Sequence, residues 1–340
     1  MVEIVSSINL NEWHDFLLSQ SDATLYHTPE WKMFLEKTFG YKPRYLFAID
    51  ECGQLVGMLP LFEVRSRLTG NRLCSVPFSH ECTCLGSTDV VTDLVATAID
   101  LSKHLNVGYI ELRTGTDHPA FRSQNLFSTY TLQLSTVEET WNLIHKSAKR
   151  YIKKSMESLS VTQSNVEEDI EIFYQINCNN KKNKGVPSHP DRFFKNLVKI
   201  FQDSAHIYLA KLGQETIGGI ITIDSGTDTV IYGYGASDPG YLNYNPLYAC
   251  LWKSIEDACH GGRTCYDFGR VSYDNLGLIE FKKKWGTCEK KLCYSYSPSY
   301  RSSLSSSRDN TTYRLITAMV QRMPMSLYKA FSASVFGHFG

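Results

Sequence analysis

Two segments in the second half of the chain combine a carboxylate, an arginine and lysines in an order that suits proton transfer and anion binding. The first, residues 266–270, reads YDFGR and predicts a buried strand that ends near Asp267. Ligands of open α/β sheets collect at the carboxyl ends of the strands. We therefore expect Asp267 to accept a proton from an amine nucleophile, directly or through water. Arg270 would hold a phosphate or a carboxylate, and a structural ion pair between Asp267 and Arg270 is the alternative.

The second segment, residues 281–286, reads FKKKWG and predicts a short helix. Successive helical residues point about 100° apart, so three consecutive lysines cannot all face one ligand. Lys282 follows Phe281, which we expect to anchor the segment beside the substrate. The Lys282 ammonium would then stabilise charge that develops on a carbonyl oxygen or on a leaving phosphate ester. For Lys283 and Lys284, a solvated cationic surface is the alternative.

A basic stripe on one predicted helix is the next feature. Its five cations fall at positions i, i+3, i+4, i+7 and i+8: Lys146, Lys149, Arg150, Lys153 and Lys154. Like charges stacked in this way destabilise a helix unless an anion neutralises them. We expect Lys149, Arg150 and Lys153 to bind a polyanion, such as an RNA backbone, the phosphates of coenzyme A or a nucleotide-sugar pyrophosphate. A plain solvated helix face is the alternative.

The loop of residues 237–245 precedes a helix that begins at Pro246. A helix N-terminus that follows a strand can hold phosphate on its free N–H groups. Tyr244 and Asn245 are placed to contact a donor phosphate there. Only Gly240 allows close backbone approach, which weakens the prediction of a phosphate-cradling loop.

Two tyrosines and one histidine complete the set of predicted substrate contacts. In the predicted strand 229–236, alternation places Val230, Tyr232 and Tyr234 on one face. We assign both tyrosines to the substrate site. His189 follows a polar, basic segment and could carry a proton or contact substrate. A surface histidine without a role is the alternative.

Bulk composition excludes several other kinds of protein. Lys+Arg and Asp+Glu number 35 each, which argues against DNA or any polyanion held by net charge. The ten cysteines form no CxxC pair, so we expect no metal site and no tightly bound cofactor. GxSxG, Walker A and dinucleotide glycine patterns are missing from the sequence. The start does not resemble a signal peptide and no stretch approaches about 18 apolar residues, so a cytoplasmic protein is expected.

The predicted elements repeat along the chain and indicate a mixed α/β fold. A hairpin, a helix and a strand follow one another within residues 45–113 and again, at similar spacing, within residues 206–268. We therefore predict two tandem units, residues 1–134 and 135–296. A capping-box pattern at residues 135–138 predicts one helix that continues through Ile152.

Residues 297–340 are predicted to form a linker and a C-terminal helical segment. The linker, residues 297–312, is rich in serine and has no apolar period. Pro324 divides the helical segment into two short pieces that carry apolar residues with Arg314, Arg322 and Lys329. We expect these helices to pack on the body of the protein. Peripheral contact with the inner face of a membrane is the alternative.

Three motifs together resemble FemAB-like proteins of the GNAT acyltransferase superfamily. They are YHTPEW at residues 26–31, LVGMLPLF at residues 55–62, and YDFGR followed by FKKKWG at residues 266–286. The resemblance runs from about residue 8 to residue 296. It implies two GNAT-like units packed together, of which the second is better preserved. It also implies that the acyl donor lies where strands 229–236 and 264–268 part, and that Lys282 belongs to the substrate site.

The resemblance implies an N-acyltransferase that uses an activated donor, such as an acyl-CoA thioester, as a co-substrate. The amine acceptor would be a cell-envelope or polysaccharide precursor. One alternative is a ligase that transfers amino acids from aminoacyl-tRNA to peptidoglycan, and another is a non-catalytic module that binds a glycan or a partner protein. No covalent intermediate is needed, so no nucleophilic cysteine is assigned.

The chain departs from the family pattern in two places. The GNAT pyrophosphate loop, Gln/Arg-x-x-Gly-x-Gly/Ala, is replaced by YLNYN at residues 241–245, which argues against conventional coenzyme A binding. The long helical hairpin that peptidoglycan-type members often carry has no counterpart between residues 160 and 268. This second departure argues against the use of aminoacyl-tRNA.

Overall fold

The structure is a computed structural model that describes residues 2–226, 228–298 and 311–340. The chain forms two compact units. Within the described ranges, the first unit holds residues 2–127, 291–298 and 337–340, and the second holds the rest. The change from the first unit to the second falls between Phe127 and Ser128, a few residues before the predicted boundary. Most of the predicted linker, residues 299–310, lies outside the described residues.

The first unit contains two sheets. Its helices are α1 (Leu10–Leu18), α2 (Pro29–Phe39) and α3 (Thr88–His104), and its strands are β1 (Glu3–Val5), β2 (Lys42–Pro43), β3 (Leu46–Ile49), β4 (Leu55–Leu59), β5 (Phe62–Val64), β6 (Arg72–Cys74), β7 (Leu85–Gly86) and β8 (Tyr109–Leu112). One sheet has the order β1-β3-β4-β7, and the other contains β2-β5-β6-β8.

Local sequence signals explain where helix α2 begins and ends. The Thr28 hydroxyl accepts a hydrogen bond from the Trp31 N–H at 3.2 Å, and Pro29 occupies the first turn. Gly40 ends the helix with φ 68°, a left-handed conformation that glycine adopts without strain. The YHTPEW motif therefore shapes a helix start, and its Trp31 is buried in the core.

The second unit is built around one mixed sheet. Its elements in chain order are β9 (Arg122–Gln133, from residue 128 onward), α4 (Val137–Leu143), α5 (Lys146–Ser158), β10 (Ser160–Ser164), α6 (Glu167–Asn183), α7 (Asp191–Phe201), β11 (Ala205–Leu212), β12 (Glu215–Asp224), β13 (Thr229–Ser237), α8 (Pro246–His260), β14 (Cys265–Ser272), α9 (Leu276–Lys283), β15 (Cys288–Ser297, of which residues 291–297 belong to the first unit), α10 (Thr311–Arg322) and α11 (Met325–Val335). The strand order is β10-β11-β12-β13-β14-β9.

Strands β10 to β13 pair antiparallel, whereas β13 and β14 run parallel. A parallel connection needs a crossover, and helix α8 provides it. Helices α5 and α8 bury Ala148, Ile152 and Ile255 in one core with Tyr266 of β14. The hairpin β11–β12, helix α8 and strand β14 repeat the order of β3–β4, α3 and β8 in the first unit. The predicted tandem arrangement of two α/β units is confirmed.

The prediction of one helix from residue 135 through Ile152 is wrong, because the structure has two helices there. Thr136 caps α4, one residue later than the predicted pattern at residues 135–138, by accepting a hydrogen bond from the Glu139 N–H at 3.2 Å. Ile144 and His145 then adopt extended backbone conformations. The His145 ring accepts a hydrogen bond from the Ser147 N–H and so caps α5. The backbone N–H of His145 donates to the Lys284 carbonyl at 2.9 Å. The interruption therefore ties α5 to the end of α9.

The C-terminal helices pack on the end of α6, as expected. The Lys182 ammonium donates to the Gln321 carbonyl at 2.7 Å, and the Gln321 amide donates to the Asn183 carbonyl at 2.9 Å. The Tyr328 hydroxyl donates to the Val186 carbonyl at 2.9 Å. Within the described ranges, no helix has the length and apolar character required to cross a bilayer.

Candidate active site

Strands β13 and β14 pair over only part of their length. Their parallel ladder joins Thr229–Ile231 to Cys265–Asp267, although the strands contain nine and eight residues. The remaining residues of each strand, 232–237 and 268–272, continue beyond this ladder. Gly269 of β14 has φ 70°, a left-handed conformation that turns the strand just after Asp267. The parallel pairing of the two strands therefore stops at Ile231 and Asp267.

Asp267 is a buried carboxylate at the point where the ladder ends. Its side chain is 8% exposed. One oxygen accepts hydrogen bonds from the Gly269 N–H at 2.7 Å and from the Thr129 hydroxyl at 2.9 Å. The carboxylate therefore holds the turn at Gly269, and Thr129 of β9 holds the carboxylate.

Lys282 lies against the same turn from the other side. It is 2% exposed, and its ammonium donates to the carbonyls of Gly269 at 2.5 Å and Arg270 at 3.1 Å. An ammonium has three N–H donors, so one donor is left after these two bonds. Burial lowers the pKa of Lys282 to about 8, and the charge of Asp267 opposes that shift. The site thus holds a buried cation, and among the described residues no third hydrogen-bond acceptor contacts its ammonium.

The pKa of Lys282 predicts a pH dependence of folding stability. The folded chain releases this proton at about pH 8, whereas the ordinary value is 10.5. Between these values the unfolded state binds more protons, so stability rises with pH. We expect the free energy of unfolding of the wild type to gain up to about 3 kcal/mol relative to Lys282→Met across this range. Urea unfolding of both proteins at several pH values measures the gain, and parallel pH profiles would contradict it.

The prediction that Tyr232 and Tyr234 share one face of the strand is wrong. The register between β12 and β13 shifts between Ile221 and Thr222, whose partners are Tyr234 and Tyr232. The extra residue, Gly233, forms a bulge that reverses the alternation. Tyr232 packs with Val230 in the core beside α8, with its ring 6.1 Å from that of Phe268.

Tyr234 instead contacts His189 on the other face of the sheet. The two ring centroids are 5.0 Å apart, and Phe193, Phe194 and Phe336 lie within 4.4–5.1 Å of the His189 ring. The interpretation of His189 as a lone surface residue is therefore wrong. Burial lowers its pKa well below 6.5, so the ring is neutral at physiological pH. Among the described residues, Nδ1 has no hydrogen-bond partner. His189 is brought beside Tyr234, but not beside Lys282.

Phe281 in α9 and Trp285, two residues after the end of α9, hold the helix that carries Lys282. The Tyr248 ring of α8 lies 5.4 Å from Phe281 and 5.6 Å from the buried Trp285. The ammonium of Lys282 also lies 5.8 Å from the centre of the Tyr130 ring, a cation–π distance. Phe281 thus anchors the helix that presents Lys282.

The basic stripe forms one continuous exposed surface on α5. Its five residues and Glu157 line an open groove of about 380 Å³. Across the described ranges, none of the five cations has an ion-pair partner. Lys149 lies 5.6 Å from the Trp141 ring, and Arg150 lies 5.2 Å from the Tyr151 ring. The groove therefore concentrates five positive charges, and Glu157 contributes one carboxylate to its lining.

Tyr244 and Asn245 end a 3₁₀ helix (Pro239–Tyr244) that packs against α5. Asn245 has φ 55° and precedes α8, which begins with Pro246. The Asn245 amide donates to the Asn243 carbonyl at 3.1 Å. The 3₁₀ helix that ends at Tyr244 thus lies next to α5, which carries Lys149, Arg150 and Lys153. All of these residues were predicted to bind the donor phosphates.

Several residues of the site escaped the sequence analysis. Thr129, Tyr130 and Gly269 were not singled out, yet each contacts Asp267 or Lys282. A glycine inside a predicted strand often marks a bulge or a close approach, so Gly269 carried a usable signal. Thr129 and Tyr130 lie in a long strand far away in sequence and carried none.

Comparison with known proteins identifies the fold. Residues 144–283 match the family model described as "Acetyltransferase (GNAT) domain". The crystal structure of FemX has a similar fold, with a TM-score of 0.70 at 14% identity, over 86% of this chain and 96% of that one. A tandem GNAT protein from the clavulanic acid biosynthesis pathway gives a TM-score of 0.56 at 10% identity, over 88% and 100%.

A third similar structure is the C-terminal domain of a protein assigned as a lysylphosphatidylglycerol synthetase from Agrobacterium fabrum. Its TM-score is 0.60 at 8% identity, over 85% of this chain and 92% of that one. No curated protein matches the sequence significantly. Residues 144–283 thus match a GNAT domain, and the fold of the chain is similar to those of FemX and of a tandem GNAT protein. The three structures are similar to this chain in fold.

Proposed function

We propose that the chain is an N-acyltransferase whose second unit transfers an acyl group from an activated donor to an amine. The observation that carries this proposal is the buried Lys282 ammonium, which has only two acceptors among the described residues, beside the end of the β13–β14 ladder. A preorganised, desolvated cation stabilises negative charge far better than one in water does. Lys282 therefore suits the oxyanion that forms during acyl transfer.

The reaction follows from this geometry as a direct displacement. The acceptor nitrogen attacks the carbonyl carbon of a thioester or ester donor, and the carbonyl oxygen becomes an oxyanion next to Lys282. Collapse of this tetrahedral intermediate forms the amide and breaks the bond to the leaving thiolate or alkoxide. The proton lost by the attacking amine passes to Asp267 or through water to solvent, and the leaving group gains one proton. Holding donor and acceptor in one site supplies much of the rate.

The donor is proposed to be held by its phosphates. The basic stripe supplies cations for such a group, and the 3₁₀ helix that precedes Asn245 packs against α5. Tyr244 and Asn245 are proposed to contact the same phosphates. Arg270, Phe281, Tyr232, Tyr234 and His189 are proposed to contact the substrates. The acceptor is proposed to be a cell-envelope or polysaccharide precursor made on the cytoplasmic side of the membrane.

A second candidate is transfer of an amino acid from aminoacyl-tRNA. The basic stripe favours it, because a row of cations with an open groove suits an RNA backbone better than a single small ligand. FemX, the structural relative with a TM-score of 0.70, supports the same fold but not the substrate. Both candidates use the same chemistry at Lys282 and differ only in what carries the acyl group.

A donor screen tests the proposal. The purified chain is melted in the presence of acyl-CoAs, acyl carrier thioesters, aminoacyl-tRNA and nucleotide sugars, since a bound ligand raises the melting temperature. Donors that bind are then incubated with amine acceptors, and mass spectrometry detects the amide. Amide formation from any donor is expected. Binding of nucleotide sugars or glycans without turnover of any donor would instead indicate a non-catalytic binding module.

A further inference from the structure

The outer face of the C-terminal helices is apolar. Ile316 and Met319 of α10 are 48% and 57% exposed, and Leu327 of α11 is 56% exposed. Ile316 and Met319 are three residues apart and so share one face of α10. We call Ile316, Met319 and Leu327 the apolar stripe.

The inner face of the same helices is already buried. Val320 and Tyr328 are 1% and 0% exposed, and the hydrogen bonds of Lys182, Gln321 and Tyr328 fasten both helices to the end of α6. Gly185 packs closely against Thr317 of α10. A Cβ atom added at Gly185 would lie 2.2 Å from the methyl carbon of Thr317. The apolar stripe is therefore a second, outward face rather than the face that docks α10 on the unit.

Cations lie next to α10. Residues 311–340 contain two arginines and one lysine but no Asp or Glu. Lys182 lies beside α10, because its ammonium donates to the Gln321 carbonyl. Lys184 is next in sequence to Gly185, which lies against Thr317 of α10. Arg322 is the last residue of α10. In the part of the chain that the structure describes, Lys182, Lys184 and Arg322 form no ion pair. Three cations therefore lie beside α10 or at its end.

We propose that α10 and α11 dock the protein on an anionic lipid surface. The apolar stripe would enter the boundary between headgroups and acyl chains, while Lys184 and Arg322 contact lipid phosphates. Twelve residues of α10 span about 18 Å, too short to cross a bilayer but sufficient to lie along its surface. Charge complementarity favours lipid over an apolar protein partner, because no acidic residue of this segment opposes a negative surface. The docking does not depend on the acyl-transfer proposal.

Vesicle flotation of the full chain tests this docking. The wild type is expected to float with vesicles of phosphatidylcholine and phosphatidylglycerol, and not with phosphatidylcholine alone. The variant Ile316→Asn/Met319→Asn should reduce the bound fraction at least about tenfold, because two apolar anchors are lost. The variant Lys184→Gln/Arg322→Gln should reduce it by about tenfold or more. Circular dichroism and thermal melting establish that each variant is folded.

Matched variants elsewhere in the second unit serve as controls. Met156 of α5 is 46% exposed, so Met156→Asn removes a comparable methionine and should leave flotation unchanged. Arg150→Gln/Lys154→Gln removes two cations from the basic stripe and should also leave it unchanged. The proposal is overturned if the wild type binds neither kind of vesicle. It is equally overturned if the basic-stripe variant, rather than the α10 variants, abolishes flotation.

Discussion

Replacing Lys282 by methionine is expected to lower the acyl-transfer rate by about 100- to 1,000-fold. Methionine has a similar length but carries neither charge nor N–H, so the oxyanion loses its donor. Because the oxyanion exists only in the transition state and the intermediate, the loss should appear in kcat more than in KM. Amide formation from the donor found in the screen is followed by mass spectrometry under saturating and limiting substrate.

Lys283→Met is the matched control. Lys283 is the next residue on the same helix, but its side chain is 55% exposed and its ammonium lies 3.2 Å from Glu289. Its replacement should change the rate by less than about threefold, since exposed ion pairs contribute little. If both Lys282→Met and Lys283→Met keep the wild-type kcat, then Lys282 only holds the Gly269 turn. Another group would then stabilise the oxyanion.

Stability measurements separate a chemical loss from a structural one. Lys282→Met leaves the carbonyls of Gly269 and Arg270 without their donor, which costs about 1–3 kcal/mol for each buried group. The same replacement removes a buried charge, which offsets part of that cost. A variant that unfolds cooperatively but turns over slowly supports a role for Lys282 in the reaction.

The centre of the candidate site was accessible from the sequence because its signals are local. A buried-looking strand predicted to end near Asp267 indicates a ligand edge by the rule for open sheets, although the observed strand continues to Ser272. Lys282 stands next to Phe281, and helical geometry separates it from the two lysines that follow. The structure places Asp267 and Lys282 on either side of one turn, so a few local patterns were sufficient to group them.

Long-range pairing explains what the sequence analysis missed. Thr129 reaches Asp267 only because β9 lies beside β14, and no pattern in β9 indicates which strand it joins. The bulge at Gly233 depends on the register of β12, so the alternation of Tyr232 and Tyr234 could not be derived from β13 alone. Aromatic rings from three separate elements surround His189, so the ring of this loop residue is neutral and partly buried.

The break between α4 and α5 has a similar cause. Residues 137–152 keep a helical apolar pattern, so periodicity alone favours one helix. The tertiary hydrogen bond from the His145 N–H to the Lys284 carbonyl overrides that pattern. The break also sets the direction of α5, and therefore the direction in which the basic stripe points.

Reversing two charges of the basic stripe is expected to abolish polyanion binding if the donor is aminoacyl-tRNA. Arg150→Glu/Lys153→Glu changes the charge of the groove by four units and places carboxylates where phosphates would lie. We expect tRNA affinity at low salt to fall by about 100-fold or more. The log–log salt dependence of the wild type should have a slope of about −0.7 to −0.9 for each phosphate contacted, and the variant should show a shallower slope. Gel shift and fluorescence anisotropy measure both quantities.

Arg192→Glu/Lys199→Glu is the matched control, because both residues are exposed on helix α7 of the same unit and the change in charge is identical. A decrease in affinity confined to the α5 variant means that position, rather than net charge, governs binding. A wild type that binds no tRNA at low salt, but loses acyl-CoA binding in the α5 variant, identifies the stripe as a site for donor phosphates and eliminates the tRNA candidate. Equal affinities in all three proteins would mean that the stripe is a solvated helix face and that the donor is held elsewhere.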